Sequence, residues 1–366
     1  MKADSVPYLL VYISGHGFGH AAQAAPVINR LCELAPKLRL TIISAVPAAH
    51  LHSRIHGDFE HISEAVDFGM KMESALDVLP KESLEAYQEF HRDWSQKVNA
   101  EANRITALDP DFVLTNVSYL PLAAARKADI ACAAMCSLNW IDIFQHYCGA
   151  MPGAEAVLAE MREAYVAADR FLRITPGMTM GTLPNVKPIG PIARMGVNRR
   201  KEIAQRLRLN PRDKLVLVSM GGIATDSPMA SWPSIPSVRW LVSPEWALPR
   251  EDVSSLAELG MDFTDLLASC DAMLCKPGYG SFTEAACNGV AVLYVSRKDW
   301  PEEPCLVSWL EQVGRCQEIS REAFETGRFQ QSLEDLLAKP VKPPIAPTGI
   351  DEAARYLLRS ISIASP

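Results

Sequence analysis

The chain predicts an α/β protein made of two doubly wound, Rossmann-like domains facing each other across a cleft. Short apolar runs alternate with helix-period segments nearly throughout its 366 residues, and the proline- and glycine-bearing stretch Pro188 to Asn198 divides that alternation in two. Each half carries an early apolar strand that runs into a glycine turn. Strands alternating with helices form parallel sheets covered on both faces, and such sheets hold ligands at the carboxyl ends of their strands. Residues 1–192 are expected to form the first domain, joined by a final helix within 349–366. Residues 193–348 are expected to form the second.

The elements follow in order. Tyr8 to Ile13 is an apolar strand, and the turn Ser14-Gly-His-Gly-Phe-Gly-His20 leads into a helix from about Ala22 to Leu34. Leu38 to Ala45 is the next strand. Between Leu84 and Ile105 the residues Leu84, Tyr87, Trp94, Val98, Ala102 and Ile105 recur at helical spacing. Phe112 to Thr115 and Ile130 to Met135 are short buried strands. A helix from about Ala154 to Ala168 precedes the strand Phe171 to Ile174. After the linker come a helix near Arg199 to Leu207, the strand Leu215 to Ser219 and the turn Gly221-Gly222. The alternation then continues to about Leu337. A proline-rich stretch from Lys339 to Pro347 leads to an amphipathic helix at about Ile350 to Ile361.

Composition narrows the function classes. With 48% apolar and 22% charged residues, there is material for two cores. A net charge of −7 leaves no basic stripe for nucleic acid. No apolar run reaches bilayer length and no secretory leader pattern opens the chain, so a soluble, cytoplasmic protein is expected, with peripheral membrane contact left open. Nine cysteines, an odd number with several in apolar runs, fit buried thiols in a reducing compartment. Cys132 and Cys136 lack a second pair at zinc spacing, and no metal is expected.

Lys276-Pro-Gly-Tyr-Gly-Ser-Phe-Thr-Glu284 is the most informative stretch. It follows the apolar run Ala272 to Cys275 and opens a helix, placing unpaired N–H groups where glycines let a phosphate approach. Lys276, Gly278, Tyr279, Gly280, Ser281 and Glu284 are therefore candidates for holding a nucleotide diphosphate, with Gly221 and Gly222 on the neighbouring turn. Ser281 and Glu284 also satisfy the pattern of a capping box, in which both side chains serve the helix start alone. The first turn is a weak dinucleotide match, because Ser44 to Pro47 offers no carboxylate for a ribose. It instead places His16 and His20 where a strand ends and a helix begins, and either imidazole could accept a proton from an attacking hydroxyl. Asp109-Pro-Asp111 lies at the amino end of its strand and reads as helix-stop punctuation. Asn139, Trp140 and Asp142 follow a strand at its carboxyl end. They are candidates for the acceptor, with core packing as the alternative for Trp140. Glu302 and Glu303 stand in the loop Asp299-Trp-Pro-Glu-Glu-Pro304, where carboxylates suit sugar hydroxyls; Glu303 could instead serve a helix start.

These motifs, in this order, resemble the GT-B glycosyltransferases. The second half is similar to the peptidoglycan N-acetylglucosaminyltransferase and its relatives, in which a helix-borne Glu binds ribose hydroxyls; that role falls on Glu284. Ser14-Gly-His-Gly-Phe-Gly-His20, Lys276-x-Gly-Tyr-Gly280 and the loop from Arg297-x-Asp299 to Glu302-Glu-Pro304 are similar to the glycosyltransferase-like half of plant L-arabinokinases. No kinase glycine-serine motif is present, and Glu302-Glu303 replaces the peptidoglycan enzyme's glutamine-rich donor loop. The resemblance implies sugar transfer from a nucleotide-diphosphate sugar, such as a UDP-sugar, to a small-molecule or glycan acceptor hydroxyl. It implies His20 as base, inversion, and no cofactor or metal. A nucleotide-sugar hydrolase and a non-catalytic nucleotide-sugar-binding protein are the alternatives.

Overall fold

The computed structural model describes residues 6–73, 77–220, 227–296 and 299–364. The chain divides into two compact units, one comprising residues 1–192 and 348–366, the other residues 193–347.

The first unit holds a seven-stranded parallel sheet of β1 (Tyr8–Ile13), β2 (Arg39–Ile43), β3 (Glu60–Ile62), β4 (Phe112–Asn116), β5 (Cys132–Cys136), β6 (Arg170–Ile174) and β7 (Val186–Ile189), in the order 3-2-1-4-5-6-7. Every residue of β1, β4 and β5 is buried, which is why these segments read as unbroken apolar runs rather than alternating ones. Leu9 pairs with Phe112 and Leu40, so β1 is central, between β2 and β4. Chain order reverses direction between β1 and β4, the place where sheets of this kind hold ligands beyond the carboxyl ends of their strands.

The second unit repeats the order with six strands: β8 (Lys214–Ser219), β9 (Val238–Val242), β10 (Val253–Ser255), β11 (Ala272–Cys275), β12 (Ala291–Val295) and β13 (Cys316–Ile319), arranged 10-9-8-11-12-13 and parallel throughout. Its switch point lies between β8 and β11. On one face of this sheet Trp232, Trp240, Phe324 and Phe329 meet edge to face, with Trp232 Nε1 donating to the Phe324 carbonyl.

Several element boundaries differ from the sequence reading. The first helix is Gly19–Leu34 and already includes His20. The Leu84 to Ile105 periodicity is two helices, Pro80–His91 and Trp94–Leu108; the chain breaks at Arg92-Asp93, and Asp93 begins the second helix with its carbonyl accepting from Gln96 and Lys97. Pro188, expected in the linker, lies in β7, an edge strand where a missing N–H costs nothing. The remaining linker is pinned rather than slack. Gly196 N–H donates to Asn288 Oδ1, and a Cβ at Gly196 would lie 2.0 Å from the Thr264 carbonyl oxygen. The closing helix runs over Gly349–Ala364 and packs on Gly19–Leu34, β4 and β7.

Candidate functional site

At the switch point of the first unit, four side chains form one buried hydrogen-bonded chain. Ser137 Oγ accepts from Gln23 Nε2 at 2.9 Å, and Gln23 Oε1 accepts from Asn116 Nδ2 at 3.1 Å. Asn116 thus turns its Oδ1 to His20 Nδ1, 2.7 Å away. An amide oxygen only accepts, so His20 Nδ1 carries the hydrogen and the lone pair belongs to Nε2. Asn116 and Ser137 are wholly buried, and His20 and Gln23 nearly so. Local sequence explains the placement. His20 and Gln23 stand three apart on one helix face, while Asn116 ends β4 beside β1, where its carbonyl accepts from Ser14 N–H at 2.7 Å.

A second network surrounds His16. The buried carboxylate of Asp67 accepts from Ser14 Oγ (2.7 Å), Ser118 Oγ (2.8 Å) and Trp140 Nε1 (3.1 Å), drawing together the segments that follow β1, β4 and β5. The next carbonyl, that of Phe68, accepts from His16 Nδ1 at 3.2 Å. The His16 and Trp140 rings meet edge to face at 5.4 Å, and the His20 ring lies 5.9 Å from the same indole. Tyr165 completes the floor: its hydroxyl donates to the Val117 carbonyl and accepts from Trp140 N–H. Burial, ahead of the nearby charges, pushes its phenol well above the usual range, so it stays a donor.

In the second unit, the helix Tyr279–Cys287 starts directly after β11, at that sheet's switch point. Its N-cap is Gly278, which has no side chain of its own to bond the first-turn N–H groups. Gly280 and Ser281 are partly exposed, whereas Tyr279 and Glu284 are buried. Thr283 turns its hydroxyl back to the Tyr279 carbonyl at 2.8 Å. Lys276 precedes the turn and is partly exposed. Glu302 and Glu303 are both buried at the start of the helix Glu303–Val313, and Trp300 Nε1 donates to Glu302 Oε2 at 3.2 Å.

Set against the sequence reading, the structure places His16 and His20 on one turn and Lys276, Gly278, Tyr279, Gly280, Ser281 and Glu284 on another, at the corresponding edges of the two sheets. Gly221, Gly222 and Arg297 lie outside the described residues. The N-cap of the helix Tyr279–Cys287 is Gly278 rather than Ser281. The helix begins at Tyr279, so Ser281 falls within its first turn rather than at the cap. Asn139, Trp140 and Asp142, the candidates for the acceptor, stand together at one helix start. Asn139 is wholly buried and caps the helix Trp140–Cys148, accepting from Asp142 N–H and donating to Asp142 Oδ2, both at 2.8 Å. Trp140 is wholly buried, so it presents no ring face to a ligand. Glu303 does open a helix, as its alternative reading held. Among the described residues, no group of three or more His, Cys, Asp and Glu side chains could hold a metal ion. None of them forms a helix long and apolar enough to cross a membrane.

Sequence reasoning missed Gln23, Asp67, Asn116 and Ser137. Gln23 alone had a signal, a polar residue inside the apolar run Ala21 to Ile28.

Solved structures with this arrangement of two sheets are numerous. CalG4, the calicheamicin glycosyltransferase, superposes with a TM-score of 0.60 at 15% identity, covering 98% of this chain and 95% of that one. The chain has the GT-B fold. The same GT-B architecture extends beyond transferases: a protein assigned as a UDP-N-acetylglucosamine 2-epimerase from Listeria monocytogenes matches at TM-score 0.56 and 16% identity, over 98% of this chain and 96% of its own. Among curated sequences, L-arabinokinase of Arabidopsis thaliana is 26% identical over 362 residues, which is 96% of this GT-B chain. The chain spans about a third of that relative's length, 34%. No family model matches the chain.

Proposed function

We propose that the protein is a glycosyltransferase that moves a sugar from a nucleotide-diphosphate sugar to an acceptor hydroxyl. The observation that carries this reading is the His20–Asn116 bond, which puts the hydrogen on Nδ1 and makes Nε2 the basic nitrogen, at the strand edge where ligands of such sheets lie. Nε2 takes the proton of the acceptor hydroxyl as its oxygen bonds to the anomeric carbon. The bond from that carbon to the diphosphate oxygen breaks, and configuration inverts. The leaving diphosphate carries the negative charge to the first-turn N–H groups of Tyr279–Cys287, which stabilise it without a metal ion. Glu284 accepts from the ribose hydroxyls, and Glu302 and Glu303 lie one strand further along for the sugar. Likeness to glycosyltransferases and to a UDP-sugar epimerase supports an activated sugar as the ligand; the reaction itself rests on the base.

Replacing His20 with Ala should lower turnover by about 10²–10⁴-fold while donor affinity stays constant. Glu284→Ala should instead weaken donor binding by roughly 10–100-fold, the worth of a hydrogen bond to a charged group. Turnover with radiolabelled nucleotide sugars and donor titration by calorimetry read the two effects separately. Undiminished turnover in His20→Ala removes the assignment of the base. Release of free sugar at the same rate with or without acceptor would mark a hydrolase instead.

A further inference from the structure

Asp67 belongs to no motif, yet its carboxylate is the meeting point of three segments. We propose that Asp67 is a positioning residue that fixes the orientation and tautomer of His16, and with it the turn that carries His20; the catalytic part of this rests on the function proposed above.

Hydrogen-bond direction fixes this arrangement. A carboxylate only accepts, so Ser14 Oγ must point its hydrogen at Asp67. That leaves a Ser14 lone pair facing the His16 backbone N–H, 3.2 Å away. The ring is held by the same segment, because the Phe68 carbonyl demands a hydrogen on His16 Nδ1. Gly69 closes the clip. Its φ is +62°, and a Cβ there would stand 2.5 Å from His16 Cγ and 2.9 Å from Trp140 Cη2, so only glycine lets the backbone lie this close to both rings. Backbone, ring nitrogen and ring face of His16 are therefore all set by Asp67-Phe68-Gly69, and Asp67 is what ties that tripeptide to the strand ends.

An amide in place of the carboxylate breaks this logic without changing shape. Trp140 Nε1 cannot accept, so the oxygen of an Asp67→Asn side chain must face Trp140 and Ser118. Its NH2 then meets Ser14 Oγ, which has to accept there as well as from the His16 N–H, so the hydroxyl rotates and its own hydrogen loses the carboxylate.

Two measurements on the full chain test this. Long-range ¹H–¹⁵N spectra of the imidazoles, with His16 identified by its loss in His16→Gln, should report the Nδ1–H tautomer in the wild type and a mixture of both tautomers in Asp67→Asn. Steady-state turnover of Asp67→Asn should fall roughly 10–100-fold, the scale of a misplaced reacting group, with donor affinity by calorimetry unchanged. A wild-type His16 spectrum in Asp67→Asn, or wild-type turnover, overturns the proposal. If the wild type transfers sugar to no acceptor, the functional reading fails, and the His16 spectrum alone decides whether Asp67 positions it. Should Asp67→Asn fail to fold, Ser118→Ala removes one donor to the carboxylate and is judged by the same two criteria.

Discussion

His91 is held at both ring nitrogens. Nδ1 lies 2.6 Å from Glu160 Oε2 and Nε2 lies 2.7 Å from the Tyr119 hydroxyl, and the ring stacks on Trp94 at 4.8 Å. Burial holds its pKa below the ordinary histidine value, with Lys97 pulling the same way, against the opposing pull of Glu160. The sign of the pH effect follows. Below about pH 6.5 the unfolded chain takes up a proton that the folded one resists, so this contribution is whole above that pH and is lost as pH falls toward the lowered folded value. Urea unfolding of wild type and His91→Gln should show a slope difference in that window, at most about 1.4 kcal/mol per pH unit, with the wild type steeper. Equal slopes would mean that His91 titrates alike in both states. Individual polar partners of this kind are what the sequence conceals. His20 was legible because a histidine in a glycine turn is conspicuous, whereas Asn116 reads as one polar residue ending an apolar strand, and Asp67 as nothing at all. Their meaning arises only when β1, β4 and the loop before Gly69 come together, over separations of 96 residues for His20 to Asn116 and 53 for Ser14 to Asp67.

Elements were more legible than partners, because burial on both faces writes itself as uninterrupted apolar sequence. β1, β4, β5, β11 and β12 all betray themselves in this way. Boundaries were less so. The helix start at Tyr279 rather than at Ser281 reflects tertiary placement: Gly278 is the last extended residue before the turn, and the chain winds as soon as it is passed. The break at Arg92-Asp93 escaped because both flanking helices keep their apolar residues in phase. The closing helix Gly349–Ala364 has a simpler logic. Ala353, Ala354, Leu357 and Ile361 are buried along one face, and Asp351 receives Arg30 Nε at 2.6 Å. Leu357→Ala should cost about 2–5 kcal/mol of stability, a loss that denaturant titration would register in the first unit. A change below 1 kcal/mol would imply that the helix adds little to that core.

On the scale of the whole molecule, two sheets share the strand order 3-2-1-4-5-6 although no repeat is visible in the residues. The order is recoverable because packing constrains where polar and apolar residues fall far more than which of them are used. If the donor sits on Tyr279–Cys287, uridine diphosphate at about 100 times its dissociation constant should stabilise the folded chain by about 2.7 kcal/mol. Hydrogen exchange should then slow most over residues 276–284, and unchanged exchange there would move the donor elsewhere. The division of the chain has a consequence for its synthesis. The peptide leaves the first unit after Ile192 and rejoins it at Thr348, and the two passages lie side by side, with Gly349 N–H bonded to the Pro191 carbonyl. A ribosome therefore completes every residue of the second unit while the first still lacks its covering helix. Until that helix emerges, the face of Gly19–Leu34 on which it packs stays open to water and to chaperones.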